Sequence, residues 1–305
     1  MSTAQIFSGQ GAQAVGMGQD LAATYPVCAE LYARADEVIG YDLSRICFEG
    51  PEEELTKSSH CQPAIFVTSV ACAKALEAAG VAPEPVATAG LSLGEWTALH
   101  MAGVLSFEDT VRVLEARGRF MQEACEEQAG GMVSIIGLSR EQLDAICVEA
   151  GVTIANLNSS AQTVLSGPKE GVAKAEALAT EAGAKRAIVL NVAGAFHSSL
   201  MASAGEKLAA MLAGVVFQAP RVPVLSNVMG EPHATVEAIR GNMVRQVTES
   251  VQWLSCVEWM VAQGVDQYIE CGPGRVLTSL IKRIAVGASL VNVMDVASVE
   301  KVVSG

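Results

Sequence analysis

Gly90-Leu91-Ser92-Leu93-Gly94 sits between an apolar run, Glu84-Pro85-Val86-Ala87-Thr88-Ala89, and a stretch of helical composition, Glu95 to Ala102, closed by Gly103. A G-x-S-x-G at a strand-to-helix turn reads as a nucleophile elbow. Glycines on both sides let the backbone turn sharply and hold the serine hydroxyl outward. The following helix aims its free N–H groups, Leu93 first, at the place where an oxyanion would form. Strand, elbow and helix in that order is one step of a strand–helix alternation that, continued along the chain, points to a mostly parallel sheet with helices on both faces.

Outward from the elbow the alternation continues. Gln5-Ile6-Phe7 reads as a strand ending in the loop Ser8-Gly9-Gln10-Gly11-Ala12-Gln13, whose backbone N–H groups suit a ligand. A dinucleotide loop is excluded, because the spacing is not G-x-G-x-x-G and no acid ends a second strand at the right distance. Helices are expected over 26–39, from Glu52, over 62–79 (opened by Gln62-Pro63, with Ile65, Ser69, Cys72, Ala73 and Leu76 on its apolar face) and from Ser106 to about Cys125. In the last of these, Val111, Leu114, Gly118 and Met121 form the apolar stripe and Arg117 lies beside it. On position alone, Arg117 reads as an arginine reaching solvent or pairing with a glutamate.

Residues 130–192 read β-α-β-β-α-β, the order of a small ferredoxin-like unit. The expected organisation is a large α/β body of α/β-hydrolase type, residues 1–127 and 194–305, with that unit inserted over 128–193. The cleft between the two is the expected ligand site. After Gly194-Ala195-Phe196-His197-Ser198-Ser199, helices are expected from Leu200 to Leu212, around 240–246 and over 251–263. Strands are expected at 223–227, 267–270 and 290–293, with a helix over 276–284. On position alone, His197 near a strand end reads first as a hydrogen-bonded structural histidine.

Composition narrows the function classes. Half of the 305 residues are hydrophobic, yet no apolar run approaches the roughly 20 residues a bilayer helix needs. Met1-Ser2-Thr3-Ala4 leads straight toward the first strand, so no leader is expected. A net charge of −13 argues against nucleic acid and anionic membranes as partners. The eight cysteines include no C-x-x-C pair and read as buried thiols in a reducing compartment. The four histidines are dispersed, so no metal site is expected.

Six blocks together carry a resemblance: Gly9-Gln10-Gly11-Ala12-Gln13, Gly90-Leu91-Ser92-Leu93-Gly94-Glu95, Arg117-Gly118-Arg119-Phe120-Met121-Gln122, Gly194-Ala195-Phe196-His197-Ser198, Val244-Arg245-Gln246 and Gly272-Pro273-Gly274. Over essentially its full length the chain resembles malonyl-CoA:acyl carrier protein transacylases of the plastid and bacterial type II fatty acid synthesis type. It departs from the usual family pattern at Leu91, where histidine is common. The resemblance implies Ser92 as nucleophile and His197 as base, with the Gln246 backbone carbonyl orienting the histidine. It implies an oxyanion hole from the N–H groups of Gln10 and Leu93. Arg117 would grip the malonyl carboxylate, and Phe196 and Met121 would line the acyl site. Malonyl-CoA and the phosphopantetheine thiol of an acyl carrier protein are the implied substrates, with no metal or redox cofactor.

For an acidic carrier, Lys185-Arg186 and Lys282-Arg283 are the candidate basic pairs. A monomer in the plastid stroma or bacterial cytoplasm is expected. The rivals are a serine hydrolase, an acyltransferase with another extender unit, and a non-catalytic carrier-binding scaffold. The hydrolase would need an acid on a strand end between serine and histidine, and a histidine near the C-terminus. The last histidine is His233.

Overall fold

The computed structural model describes residues 2–304; residues 1 and 305, outer bounds of the larger body in the sequence reading, lie outside the described range. Strand β1 (Thr3–Phe7) is followed by α1 (Gln19–Thr24), α2 (Pro26–Ile39), α3 (Leu43–Glu49), α4 (Glu52–Thr56), α5 (Ser58–Ala78) and β2 (Ala87–Gly90). Helices α6 (Leu93–Met101) and α7 (Phe107–Glu127) lead to β3 (Gly130–Ile136), α8 (Arg140–Ala150), β4 (Thr153–Ser159), β5 (Gln162–Pro168), α9 (Lys169–Glu181) and β6 (Arg186–Val189). The chain closes with α10 (Ala202–Leu212), α11 (Val236–Arg245), α12 (Trp253–Ala262), β7 (Gln267–Cys271), α13 (Val276–Ile284), β8 (Ser289–Val293) and α14 (Val296–Ser304).

Two sheets result. The first runs β2-β1-β7-β8 with every pair parallel, and Gln5 lies between Thr88 and Ile269. Both of its faces are covered, as a parallel sheet requires. Ala4 and Ile6 of β1 pack with Trp253, Val257 and Leu277 on one side, while Phe7 faces the core around α5 and α7 on the other. Because all four strands run the same way, the loops after β1, β2 and β7 gather at one edge of the sheet. That edge carries Gln10, Ser92 and Gly272. The second sheet runs β4-β5-β3-β6 with every pair antiparallel, and α8 and α9 complete its core with Val133, Leu165 and Val172. A seam of backbone bonds joins the two sheets' bodies: Leu157 N donates to Val251 O at 2.9 Å and Val251 N to Ala155 O at 2.8 Å.

Local chemistry explains the helix ends. Pro26 opens α2 at a position where no N–H is needed, and Gly40 closes it at φ 78°. Ser106 caps α7 by accepting from Asp109 N at 3.0 Å. Ser139 and Gln142 form a reciprocal capping box on α8.

Several expected elements are corrected. Residues 223–227 form no strand. Only Val224 bridges to Thr88 and Leu225 to Pro232, since Pro223 has no N–H to donate and the chain then bends away to present Asn227 to the elbow. Helix α5 begins at Ser58, a turn before Gln62, and carries Pro63 inside it; its early position keeps the lost hydrogen bond within the first two turns. It is buried on nearly every side rather than along one face, because it runs through the centre of the larger core. The helix expected from Leu200 starts as a 3-10 turn, Ser199–Met201, and the one expected from 251 starts at Trp253. The sequence pattern predicts neither α14 nor the short α1 and α3. Among the described residues no helix is long and apolar enough to cross a membrane.

Candidate active site

Ser92 sits between β2 and α6 at φ 55°, ψ −104°. Gly90 and Gly94 make this turn buildable: a Cβ on Gly90 would stand 2.0 Å from the carbonyl carbon of Gly94, and one on Gly94 would stand 2.2 Å from Phe7 O. Among the described non-glycine residues only Ser92 and His197 have positive φ, His197 at 57°. Such backbone costs on the order of 1–3 kcal/mol per residue and persists only where the surroundings hold it. Here the strain falls on two residues whose side chains meet.

Ser92 Oγ lies 2.9 Å from His197 Nε2, and His197 Nδ1 lies 2.7 Å from the carbonyl oxygen of Gln246. A carbonyl can only accept, so Nδ1 carries the proton and Nε2 presents a lone pair to the serine hydroxyl. Burial and the nearby Arg117 charge lower the His197 pKa from 6.5 to about 4, against the opposing pull of the Gln246 carbonyl. The ring is therefore neutral at pH 7 and competent to take a proton.

Arg117 is buried, which corrects the reading of a solvated arginine beside the stripe of α7. Gly118 explains how it gets inside: with no side chain there, α7 packs directly on the backbone of Ser58. The guanidinium donates to Gln62 Oε1 at 2.6 Å, Gln246 Oε1 at 3.0 Å and Ser92 Oγ at 3.2 Å. Its Nε has no partner among the described residues. Burial lowers its pKa to about 10, opposed by the charge of Glu95, so it stays cationic at neutral pH.

A cavity of about 530 Å³ opens onto the pair. Gln10, Ser92, Met121, Phe196 and His197 line one side, and Ser134, Asn156, Asn158 and Gln162 of the second sheet line the other. Leu93, first residue of α6, and Gln246 lie buried behind this wall. The structure thus gathers all eight residues singled out from the sequence at one sheet edge.

Four partners escaped the sequence reading. Gln62 holds Arg117, and its Nε2 also donates to Gln10 Oε1 at 3.3 Å and Met121 Sδ at 3.5 Å. Asn227 accepts from Ser92 N at 2.6 Å and donates to Gly90 O at 2.8 Å, bracing both sides of the turn. Glu95 and His233 form a buried pair beneath it, His233 Nε2 donating to Glu95 Oε1 at 2.8 Å. The one available signal was a glutamate in the otherwise apolar first turn of α6.

The acyl transferase domain family matches residues 5–300. Malonyl CoA-acyl carrier protein transacylase of Escherichia coli strain K12 is 46% identical over 283 residues, spanning 92% of this chain and 91% of that protein. The chain belongs to the malonyl CoA-acyl carrier protein transacylase family. This acyltransferase is also similar to two solved structures. The acyl carrier protein S-malonyltransferase of Vibrio cholerae has 42% identity and a TM-score of 0.95, covering 99% of this chain and 100% of that one. A malonyl-transacylase solved in complex with a type II polyketide acyl-carrier protein has 43% identity and a TM-score of 0.95, covering 100% of this chain and 99% of that one. The fold class expected from the elbow, an α/β architecture with a parallel sheet, is that of these acyltransferases.

Proposed function

We propose that this acyltransferase moves a malonyl group from malonyl-CoA to the phosphopantetheine thiol of an acyl carrier protein, for fatty acid synthesis, through a malonyl ester on Ser92. One observation carries the reading. The buried cation Arg117 stands 3.2 Å from the serine hydroxyl and makes its hydrogen bonds to neutral groups only. A buried charge is costly until an anion meets it, and a guanidinium suits a carboxylate held by two parallel bonds. Malonyl carries that carboxylate beyond its thioester carbonyl; acetyl does not.

In the first half-reaction His197 Nε2 takes the Ser92 proton as Oγ attacks the thioester carbon. The N–H groups of Gln10 and Leu93 receive the oxyanion. That role suits Leu93 because the preceding N–H, of Ser92, is already given to Asn227. Collapse breaks the C–S bond, and the leaving CoA thiolate takes the proton from His197. In the second half-reaction His197 takes the carrier thiol's proton, the sulfur attacks the ester, and the proton returns to Ser92 Oγ. No step calls for a metal or redox cofactor. Met121 packs the acyl site, and Phe196, buried on the cavity wall, leaves little room for a 2-methyl branch.

The same reading assigns residues 1–127 and 194–305 to the catalytic body and 128–193 to a ferredoxin-like subdomain, with a monomer as the working unit. Its compartment is the bacterial cytoplasm, since the organisms of the named relatives are bacteria. The carrier docks where Lys185-Arg186 and Lys282-Arg283 offer positive charge. Arg283 lines a groove that shares Val276 and Leu280 with the cavity. A serine hydrolase is disfavoured because His197 is oriented by a carbonyl rather than an acid.

The test is intact-protein mass after brief mixing with malonyl-CoA, beside acetyl-CoA and Ser92→Ala. A malonyl-sized adduct on the parent alone, cleared by a carrier protein, is expected. Steady CoA release without an adduct would favour hydrolysis, and neither adduct nor release would favour the scaffold.

A further inference from the structure

We infer that Glu95 and His233 form a positioning pair that sets carboxylate recognition by Arg117, acting through the side-chain amide of Gln246. The inference rests on the malonyl-transfer reading, in which Arg117 meets the substrate carboxylate.

Gln246 stands between a group that only donates and a group that only accepts. Its Oε1 faces Arg117 at 3.0 Å, and its Nε2 faces Glu95 Oε2 at 2.5 Å and Ser92 O at 3.0 Å. A carboxylate cannot donate and a guanidinium cannot accept, so Glu95, together with the Ser92 carbonyl, fixes which end of the amide points at Arg117. A reversed amide would aim an NH2 group at the guanidinium and drive it from its place beside Ser92 Oγ.

Three donors converge on Glu95: Gln246 Nε2 and Asn227 N, at 3.1 Å, on Oε2, and His233 Nε2 on Oε1. Only a carboxylate, accepting with both oxygens, satisfies all three. The histidine cannot relieve the demand by changing tautomer. Asn242 Nδ2 donates to His233 Nδ1 at 3.3 Å, and Asn242 is held in that orientation by Arg245 Nη1 donating to its Oδ1 at 3.1 Å. The pair has no access to the cavity, both side chains being essentially fully buried. Its influence on the reaction therefore runs through Gln246 and Asn227.

The experiment compares acylation of Ser92 by malonyl-CoA and by p-nitrophenyl acetate, an uncharged activated ester that needs Ser92 and His197 but no carboxylate partner. Glu95→Gln places an NH2 against one of the three donors. It is expected to lower the malonyl-to-acetate ratio of acylation rates about tenfold or more, the scale of an unsatisfied buried donor. His233→Gln alone, whose amide can still donate to Glu95, should keep the ratio within about threefold. The double variant Glu95→Gln with His233→Gln offers an oxygen to the new NH2 and should restore the ratio at least in part, a coupling that independent sites would not show.

Equal loss with both esters in Glu95→Gln would mean that the pair only supports the fold, and would overturn the inference. So would an unchanged ratio. If Glu95→Gln does not fold, the double variant decides: a folded double variant with a normal ratio supports the pair, and one with the lowered ratio overturns it. A parent protein that reacts with the acetate ester but not with malonyl-CoA would sink the malonyl reading itself, and this inference with it.

Discussion

Arg117 reaches Ser92: its Nη2 donates to the serine Oγ across 3.2 Å, from a helix 25 residues further along the chain. In the proposed reaction this contact joins the carboxylate-binding group to the nucleophile, which ties acyl selectivity to the reacting atom. Replacing Arg117 by alanine removes the cation and leaves Gln62 Oε1 and Gln246 Oε1 without their donor. Acylation by malonyl-CoA should fall by about 100-fold or more, equivalent to about 3 kcal/mol for a lost charge-assisted pair. Reaction with an uncharged acetate ester should fall far less. Stopped-flow acylation with the two reagents measures the split, and a loss shared equally between them would count against the role given to Arg117.

His197 gives a pH prediction. Its pKa of about 4 makes it neutral through the physiological range, so malonylation of Ser92 should be flat from about pH 6 to 8 and fall only as pH approaches 4. The stability linkage has a definite sign. The unfolded chain binds a proton on this histidine near 6.5 and the folded protein does not until about 4. Between those values the unfolded state holds more protons, so stability is lost as pH falls through that window, by about 3 kcal/mol from this group. Arg117→Ala removes a cation that depresses the pKa and should move the acid limb of the acylation profile upward. Rates across pH 3.5–8 in both proteins test it; an acid limb near 6.5 in the parent would show a solvated histidine.

The elbow and the alternation of strands and helices are legible because each has a local signature, whereas the roles proposed for Gln10, Arg117, His197 and Gln246 come from the resemblance of whole blocks and not from any local pattern. Glycines flank Ser92, an N-cap precedes the Arg117 helix, and the cavity-facing side chains lie in short blocks. The position of Arg117 beside the apolar stripe predicts a solvated side chain, and nothing in one helix's periodicity says that Gly118 will draw that face into the core. Gln62, Asn227 and His233 were invisible for a different reason. Their partners lie 55, 135 and 138 residues away, and a polar residue paired at that range has no sequence pattern of its own. The segment 223–227 has the composition of a strand, but its bonds go to two isolated bridges, Val224 to Thr88 and Leu225 to Pro232, and to the serine turn.

Asn227 accepts from Ser92 N and donates to Gly90 O, so it holds a turn that the backbone alone disfavours. Asn227→Ala leaves two buried backbone groups unpaired and should lower stability by about 2–3 kcal/mol. Acylation by malonyl-CoA and by acetate ester should fall together, since both need the same serine geometry. Thermal unfolding and the two acylation rates check it. A selective loss of malonyl transfer would instead place Asn227 in carboxylate recognition.

The glycines of the elbow make the sharpest prediction about the fold itself. A methyl group on Gly94 would stand 2.2 Å from Phe7 O and 2.8 Å from Ser8 O, and these are backbone atoms of the central strand and its loop. They cannot yield without moving β1 away from α6. Gly94→Ala should therefore cost about 4 kcal/mol or more, at the extreme of single substitutions, and remove acylation by every ester. Gly11 offers a contrast at the same sheet edge. No atom lies within 4 Å of a Cβ built there, so Gly11→Ala meets only the strain of φ 98° and should cost about 1–2 kcal/mol. Chemical denaturation of the two variants separates them: similar midpoints would mean that the close approach of α6 to β1 is softer than its geometry implies.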